Sequence, residues 1–181
     1  ADSTVSSLSV AHITPVSIAN TKTLSGAITL TAGSIKLAET GTLASSISMS
    51  GGVLDADNSL TVSGALTLGN NNNITIDVLT DNTLTYTGYL DLNSNTLTLS
   101  GGGTFNNTNA LVLNNADSLL SLEGIGTIGN VQGTDNASSG KGIQVVETAT
   151  FGSFDLTATS FLDIAANKTI NGPITLQNNA D

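Results

Sequence analysis

One short phrase recurs along the chain and constrains its fold more than any other feature. An apolar residue alternates with threonine or serine, a glycine interrupts, and the alternation resumes. The phrase occurs as LSGAITL (24–30), LTVSGALTL (60–68), LTYTGYLDL (84–92), LTLSGGGTF (97–105), LSLEGIGTI (120–128) and INGPITL (170–176). The intervals from Gly26 to Gly64 (38), Gly64 to Gly88 (24), Gly103 to Gly126 (23) and Gly126 to Gly172 (46) are one or two units of about 19 to 24 residues, a period typical of solenoid proteins. The chain is therefore expected to stack similar units upon one another.

Within each phrase the apolar residues recur at every second position, as in Leu60-Thr61-Val62-Ser63. This period places the apolar side chains on one face of a β-strand and the hydroxyls on the other. Clusters of asparagine and glycine bound the strands, and both residue types tolerate the left-handed backbone of tight corners. The pattern predicts an all-β chain.

A parallel β-helix is the architecture that this pattern favours. Aromatic residues make up only 3% of the chain, whereas a β-sandwich usually needs large side chains to fill a gap of roughly 10 Å. Leu, Ile and Val would instead stack inside a narrow solenoid, with asparagine amides hydrogen-bonding from coil to coil. We predict a single β-solenoid domain over 1–181, with about eight coils of about 22 residues each. A sandwich or barrel of short strands is the alternative.

The charge composition excludes several classes of partner. The chain carries 4 basic residues, all lysines, against 14 carboxylates, and its net charge is −10. Such a surface repels nucleic-acid phosphates and anionic lipids, so neither is expected as a partner. No apolar run approaches the roughly 18 residues of a membrane-spanning helix, and no signal peptide is recognised. The absence of cysteine excludes disulfides and thiolate metal sites.

Two features depart from the regular pattern. The polar, glycine-rich segment 129–142 is predicted to project as a loop, the kind of place where recognition residues often lie. No capping helix is expected at either end, although solenoids need polar caps to cover their terminal coils. The last four residues, NNAD, repeat those at 114–117. The chain is therefore expected either to belong to a longer repeat array or to stack on other copies.

The stretches LTLSGGGTFNN and NSLTVSGALTL resemble the repeats of secreted bacterial β-helix proteins, namely autotransporter passenger domains, two-partner-secreted haemagglutinins and large surface adhesins. The resemblance covers most of the chain, 20–130 and 155–178. It implies a secreted or cell-surface location and a structural or adhesive role. The expected partners are neighbouring repeats or other copies of the chain, through the open ends of the solenoid, and host or surface glycans.

Two versions of this role follow from the repeats. The chain is either a stalk segment of a larger adhesin or a subunit that self-assembles end to end into a filament, because unpaired end strands invite further strands. A carbohydrate-binding or carbohydrate-active β-helix is the alternative, and an ice-binding solenoid with a threonine-rich face is a minor one.

Few residues suggest a chemical site. Asp55, Asp57, Asp135 and Asn136 can supply oxygen ligands to calcium, although their segments match repeat calcium loops only in part. Asp55 and Asp57 share a strand face and could form a hydrolase pair about 5 to 10 Å apart, but solvated corner aspartates are the simpler interpretation. His12, the only histidine, has no nearby acidic or cysteine partner. No enzymatic activity is expected, and no cofactor apart from calcium.

Overall fold

A computed structural model of the chain describes residues 5–12, 16–18, 24–38, 41–70, 72–133, 137–156 and 162–176. These residues contain no helix and wind into a β-solenoid in which neighbouring strands run parallel. The prediction of an all-β parallel β-helix is therefore confirmed.

The strands are short, and most contain three to seven residues. The first eleven are β1 Val5–Val10, β2 Val16–Ile18, β3 Leu24–Leu30, β4 Ser34–Leu37, β5 Gly41–Leu43, β6 Ile47–Met49, β7 Gly52–Ala56, β8 Leu60–Val62, β9 Leu66–Leu68, β10 Asn73–Val78 and β11 Thr83–Tyr86. The next eleven are β12 Leu90–Asp91, β13 Thr96–Ser100, β14 Thr104–Asn107, β15 Leu111–Leu113, β16 Leu119–Glu123, β17 Thr127–Gly133, β18 Gly142–Val145, β19 Ala149–Leu156, β20 Leu162–Ile164, β21 Ile170–Asn171 and β22 Ile174–Leu176.

The strands lie on three faces of the solenoid. Face 1 consists of β1, β3, β6, β9, β12, β15, the second halves of β17 and β19, and β22. Face 2 consists of β2, β4, β7, β10, β13, β16, β18 and β20. Face 3 consists of β5, β8, β11, β14, the first halves of β17 and β19, and β21. The eight strands of face 2, one per coil, are separated by about seven full turns.

Strict register between coils builds the core. Leu37 pairs with Ala56 after 19 residues, and Leu99 pairs with Leu122 after 23 residues, which confirms the repeat interval expected from the glycines. Because alternate side chains of a strand point to opposite faces, each inward position stacks on the inward position of the next coil. The resulting columns of Leu, Ile and Val form one continuous apolar core.

The four-residue sequence Asn-Thr-Leu-Thr occurs twice, and its two copies lie on different faces of the solenoid. Asn82-Thr83-Leu84-Thr85 contributes to β11 on face 3, and Asn95-Thr96-Leu97-Thr98 contributes to β13 on face 2. Within these 13 residues the chain passes from face 3 through β12 on face 1 to face 2. The phrase therefore occurs more than once per turn of the solenoid.

Asparagine side chains join successive coils at the corners. Oδ1 of the buried Asn95 accepts the backbone N–H of Asn72 at 3.0 Å, and its Nδ2 donates to the C=O of Leu92 at 2.7 Å. Nδ2 of Asn109 donates to the C=O of Thr87 at 2.7 Å. The amides bridge coils as expected, but their partners here are backbone groups rather than other amides.

The segment 129–142 differs from its prediction at its start. Residues 129–133 lie in β17, where Val131 stacks in register on Leu111 and is fully buried. The regular alternation is broken at this point, because the buried Ile128 and Val131 are three residues apart, and it resumes from Val131. Further along, the N–H of Ser138 donates to the C=O of Ala116 at 2.7 Å, which ties this turn to the coil before it.

Face 1 is interrupted near its middle. β9 and β12 lie side by side, but no β-pairing joins them. The hydroxyl of Tyr86 instead accepts the N–H of Leu66 at 3.0 Å and donates to the C=O of Tyr89 at 3.3 Å. A tyrosine hydroxyl therefore bridges two backbone groups that would bond directly in a regular ladder. Gly88 provides the room, because an added Cβ would lie 2.4 Å from that hydroxyl oxygen.

Candidate functional site

A column of charged and polar side chains runs along the outer surface of face 2. The pairing of β4, β7, β10 and β13 places Lys36, Asp55, Asp77 and Ser100 in register on four successive coils. Asp57 follows Asp55 by two residues and reaches the same surface. Two of the four predicted calcium ligands, Asp55 and Asp57, are therefore neighbours, as their spacing indicated.

A lysine already occupies the space between these two carboxylates. Nζ of Lys36 lies 2.6 Å from Oδ2 of Asp57 and 3.9 Å from Oδ2 of Asp55. The hydrogen bond to Asp57 raises the pKa of Lys36, and partial desolvation opposes it. Partial burial raises the pKa of Asp55, and the charge of Asp57 raises it further, while Lys36 lowers it.

The calcium prediction is not tested by this arrangement. Asp135 and Asn136 lie outside the described residues. Within the ranges that the structure describes, no three histidine, cysteine or carboxylate side chains are grouped so that they could hold a metal ion. His12, at the start of the chain, is exposed.

We expect Asp55→Asn to stabilise the protein at pH 7 by less than about 1 kcal/mol. A carboxyl group whose pKa is raised by folding favours the protonated state, so its ionisation costs stability at neutral pH. As the pH falls through this raised pKa, the wild type regains that stability, and the advantage of the variant disappears below pH 3.8, the ordinary value. Urea unfolding of both proteins from pH 7 to pH 3 measures the difference.

Asp57→Asn is the matched control for this prediction. It removes the partner closest to Lys36, so it should lower stability at pH 7 instead of raising it. Equal effects of the two substitutions would contradict the assignment of the desolvation cost to Asp55.

Threonines form a partial array on face 3. Thr83, Thr104, Thr127 and Thr150 stack in register on four coils. The adjacent outward column contains Thr85 but continues as Asn106 on the next coil. A flat surface with two continuous threonine columns is therefore not formed by the described strands of this face. Ice binding has correspondingly little geometric support.

The last described coil leaves inward-pointing apolar side chains open to solvent. Ile164 is 43% exposed, Ile174 is 44% exposed and Leu176 is 57% exposed. One coil earlier, Phe154 and Leu156 occupy the positions in register with Ile174 and Leu176, and both are buried. Strands β20, β21 and β22 each pair with a strand on one side only among the described strands. Among the described strands, the last coil therefore has apolar side chains and strand edges that no further strand covers.

Sequence reasoning overlooked Tyr89. Its side chain is 65% exposed and lies beside the interruption between β9 and β12. The segment TYTGY (85–89) has the same alternation as the other phrases. The one unusual feature that could have drawn attention to it is its two tyrosines, in a chain with few aromatic residues.

Comparison of the chain with protein-family models, with curated protein sequences and with solved structures gave no match. Among the described residues, no helix has the length and apolar character needed to span a membrane.

Proposed function

We propose that this chain is an extracellular structural β-solenoid that assembles end to end into a filament. The last coil of one copy stacks on the first coil of the next. The observation that carries this proposal is the exposure of Ile164, Ile174 and Leu176 at inward positions of the last described coil. The middle coils bury such positions between their neighbours, so a further coil is the surface that fits them best.

The two ends have matching patterns on faces 1 and 2. On face 1, Ile174-Thr175-Leu176 of β22 would meet the apolar-polar-apolar triplet 8–10 of β1, Leu-Ser-Val. On face 2, Leu162 and Asp163 of β20 would meet Val16 and Ser17 of β2. In this register apolar residues stack on apolar residues, and the column pattern within each copy continues across the junction. Head-to-tail contacts of this kind do not close on themselves and generate filaments.

The distribution of charge also favours this contact. Of the 14 carboxylates, 12 follow residue 54, whereas 2 of the 4 lysines precede it. The first coils are therefore nearly neutral and would meet the acidic end of another copy without strong repulsion between like charges. The acidic side surfaces would keep neighbouring filaments apart.

The extracellular location is supported by the repeats themselves. Their small polar and apolar residues resemble those of secreted bacterial β-helix proteins, in which the solenoid has a structural or adhesive role. A stalk within a larger adhesin would use the same stacking, with the next coil supplied by the same polypeptide instead of by a second copy.

Sedimentation velocity and negative-stain electron microscopy over a range of protein concentrations test the proposal. The wild type is expected to form unbranched filaments one solenoid wide, which lengthen as the concentration rises. The double variant Ile164→Asp/Ile174→Asp should be monomeric, because it places two unpaired charges in the contact. Its circular dichroism should retain the β signal, since both residues lie on a terminal coil.

Thr175→Asp is the matched control. It adds the same charge to the same strand as Ile174→Asp, but at an exposed outward position in register with Asp155. Filaments of this variant should match those of the wild type. A wild type that is monomeric at every concentration, or a control variant that disassembles as completely as the double variant, would overturn the proposal.

A further inference from the structure

Tyr89 is the only exposed aromatic side chain among the described residues. The other described aromatic side chains are buried, namely Tyr86, Phe105, Phe151 and Phe154. The backbone of Tyr89 is held in place, because its C=O accepts the hydroxyl of Tyr86 at 3.3 Å. The chain thus presents one aromatic ring on its side surface, on a backbone that is anchored from within.

A groove of about 270 Å³ opens beside this ring, where β9 and β12 do not pair. Its polar lining consists of Thr67, Asp91 and Asn93. Thr67 and Asp91 are exposed and lie on adjacent coils. Asn93 has a left-handed backbone with φ of 50°, and its N–H donates to Oδ1 of Asn114 at 3.1 Å, which fixes this corner. The groove therefore combines an aromatic face with hydroxyl, carboxylate and amide groups.

We infer that this groove binds a neutral pyranose unit of a glycan. The C–H groups on one side of a pyranose ring are weakly positive and pack against the negative face of an aromatic ring. The hydroxyls at its edge donate to a carboxylate such as that of Asp91, and they both donate to and accept from an amide and a hydroxyl. Binding sites of this type place a few polar groups around an apolar surface.

Charge and size narrow the ligand class. Asp91 is the only charged residue in the lining, and the chain as a whole is acidic, so uronates and sulfated sugars are repelled. The volume lies just below the usual range of about 300 to 1,000 Å³ for pockets of drug-sized ligands, which suits one sugar unit. The groove lies on a side face of the solenoid, so this inference is independent of end-to-end assembly.

Titration of ¹⁵N-labelled protein with methyl glycosides of glucose, galactose, mannose and N-acetylglucosamine tests the inference. At least one of them should cause saturable amide shifts around Thr67, Tyr89 and Asp91, with a Kd on the order of 1 mM. A groove of about 300 Å³ lined by Asn73 and Lys141 serves as an internal control and should show no shifts. Sodium glucuronate should bind more weakly than the neutral glycoside.

Two variants separate stacking on the ring from general surface effects. Tyr89→Ala should weaken binding by roughly tenfold or more, because the aromatic platform is removed. Leu79→Ala shortens another exposed apolar side chain, 47% exposed, and should leave the affinity unchanged. The inference is overturned if none of the four glycosides binds, if Tyr89→Ala binds as the wild type does, or if glucuronate binds as tightly as the neutral sugars.

Discussion

Gly101→Ala is expected to lower the free energy of unfolding by at least about 3 kcal/mol. Gly101 turns the chain from face 2 to face 3 with φ of +95°, a conformation that is strained for alanine. The added Cβ would also lie 2.3 Å from the carbonyl oxygen and 2.7 Å from the carbonyl carbon of Val78, one coil earlier. That carbonyl accepts the N–H of Gly103 and cannot retreat without separating two stacked coils. Urea unfolding followed by circular dichroism measures the loss.

Gly124→Ala is the control, because it shares the strained backbone but not the close contact. Gly124 lies next to this corner, one coil later, forms an isolated bridge with Ser100 and has φ of +102°. No atom lies within 4 Å of a Cβ built there. Only the conformational cost of about 1 to 2 kcal/mol is therefore expected. Similar losses for the two variants would mean that the close approach of coils at Gly101 contributes little.

The fold was predictable because the core obeys two simple periods. Alternation at every second residue identified the buried side chains, and nearly every apolar residue at an inward position of a middle coil is buried. The interval of about 19 to 24 residues between phrases identified the coils. Both signals arise from strict register, since each coil must present the same kind of side chain to the one before it.

Inward positions without an aliphatic side chain were not predictable from the pattern. Tyr86 and Asn107 are paired in register on successive coils at positions where alternation calls for an apolar residue. Both side chains are buried, and each satisfies a backbone group near a corner: Tyr86 bonds to Leu66 and Tyr89, and Nδ2 of Asn107 donates to the C=O of Asn130. Leu66 and Asn130 lie 20 and 23 residues from Tyr86 and Asn107 along the chain, so no local signal announces these two contacts.

The candidate sites were predictable only in part for a related reason. Spacing placed Asp55 and Asp57 on one surface, but the lysine that pairs with them comes from the previous coil. Tyr89 lies beside an interruption between β9 and β12, and the repeat pattern gives no sign of that interruption. Predicting either site requires knowing which residues of neighbouring coils lie side by side. The sequence shows only how many residues separate one coil from the next.

Phe105→Ala is expected to cost about 3 to 5 kcal/mol of stability. Phe105 is fully buried and stacks in register between Leu84 and Ile128, so its truncation leaves a cavity enclosed by coils on both sides. Phe105→Leu matches its aliphatic neighbours and should cost less than about 1.5 kcal/mol. Thermal or urea unfolding of the three proteins gives the comparison, and a small loss for the alanine variant would contradict tight stacking at this position.

Ile174→Ala extends the same experiment to an inward position that has a coil on one side only. In dilute, monomeric protein we expect a loss of about 1 kcal/mol, because the side chain is 44% exposed and half of its packing is absent. If a second copy covers this coil, the loss caused by Ile174→Ala must grow as the protein concentration rises, since assembly stabilises the folded state by mass action. The loss caused by Phe105→Ala has no such dependence, because both of its neighbouring coils belong to the same chain. A concentration-independent loss at Ile174 would therefore contradict stacking between copies.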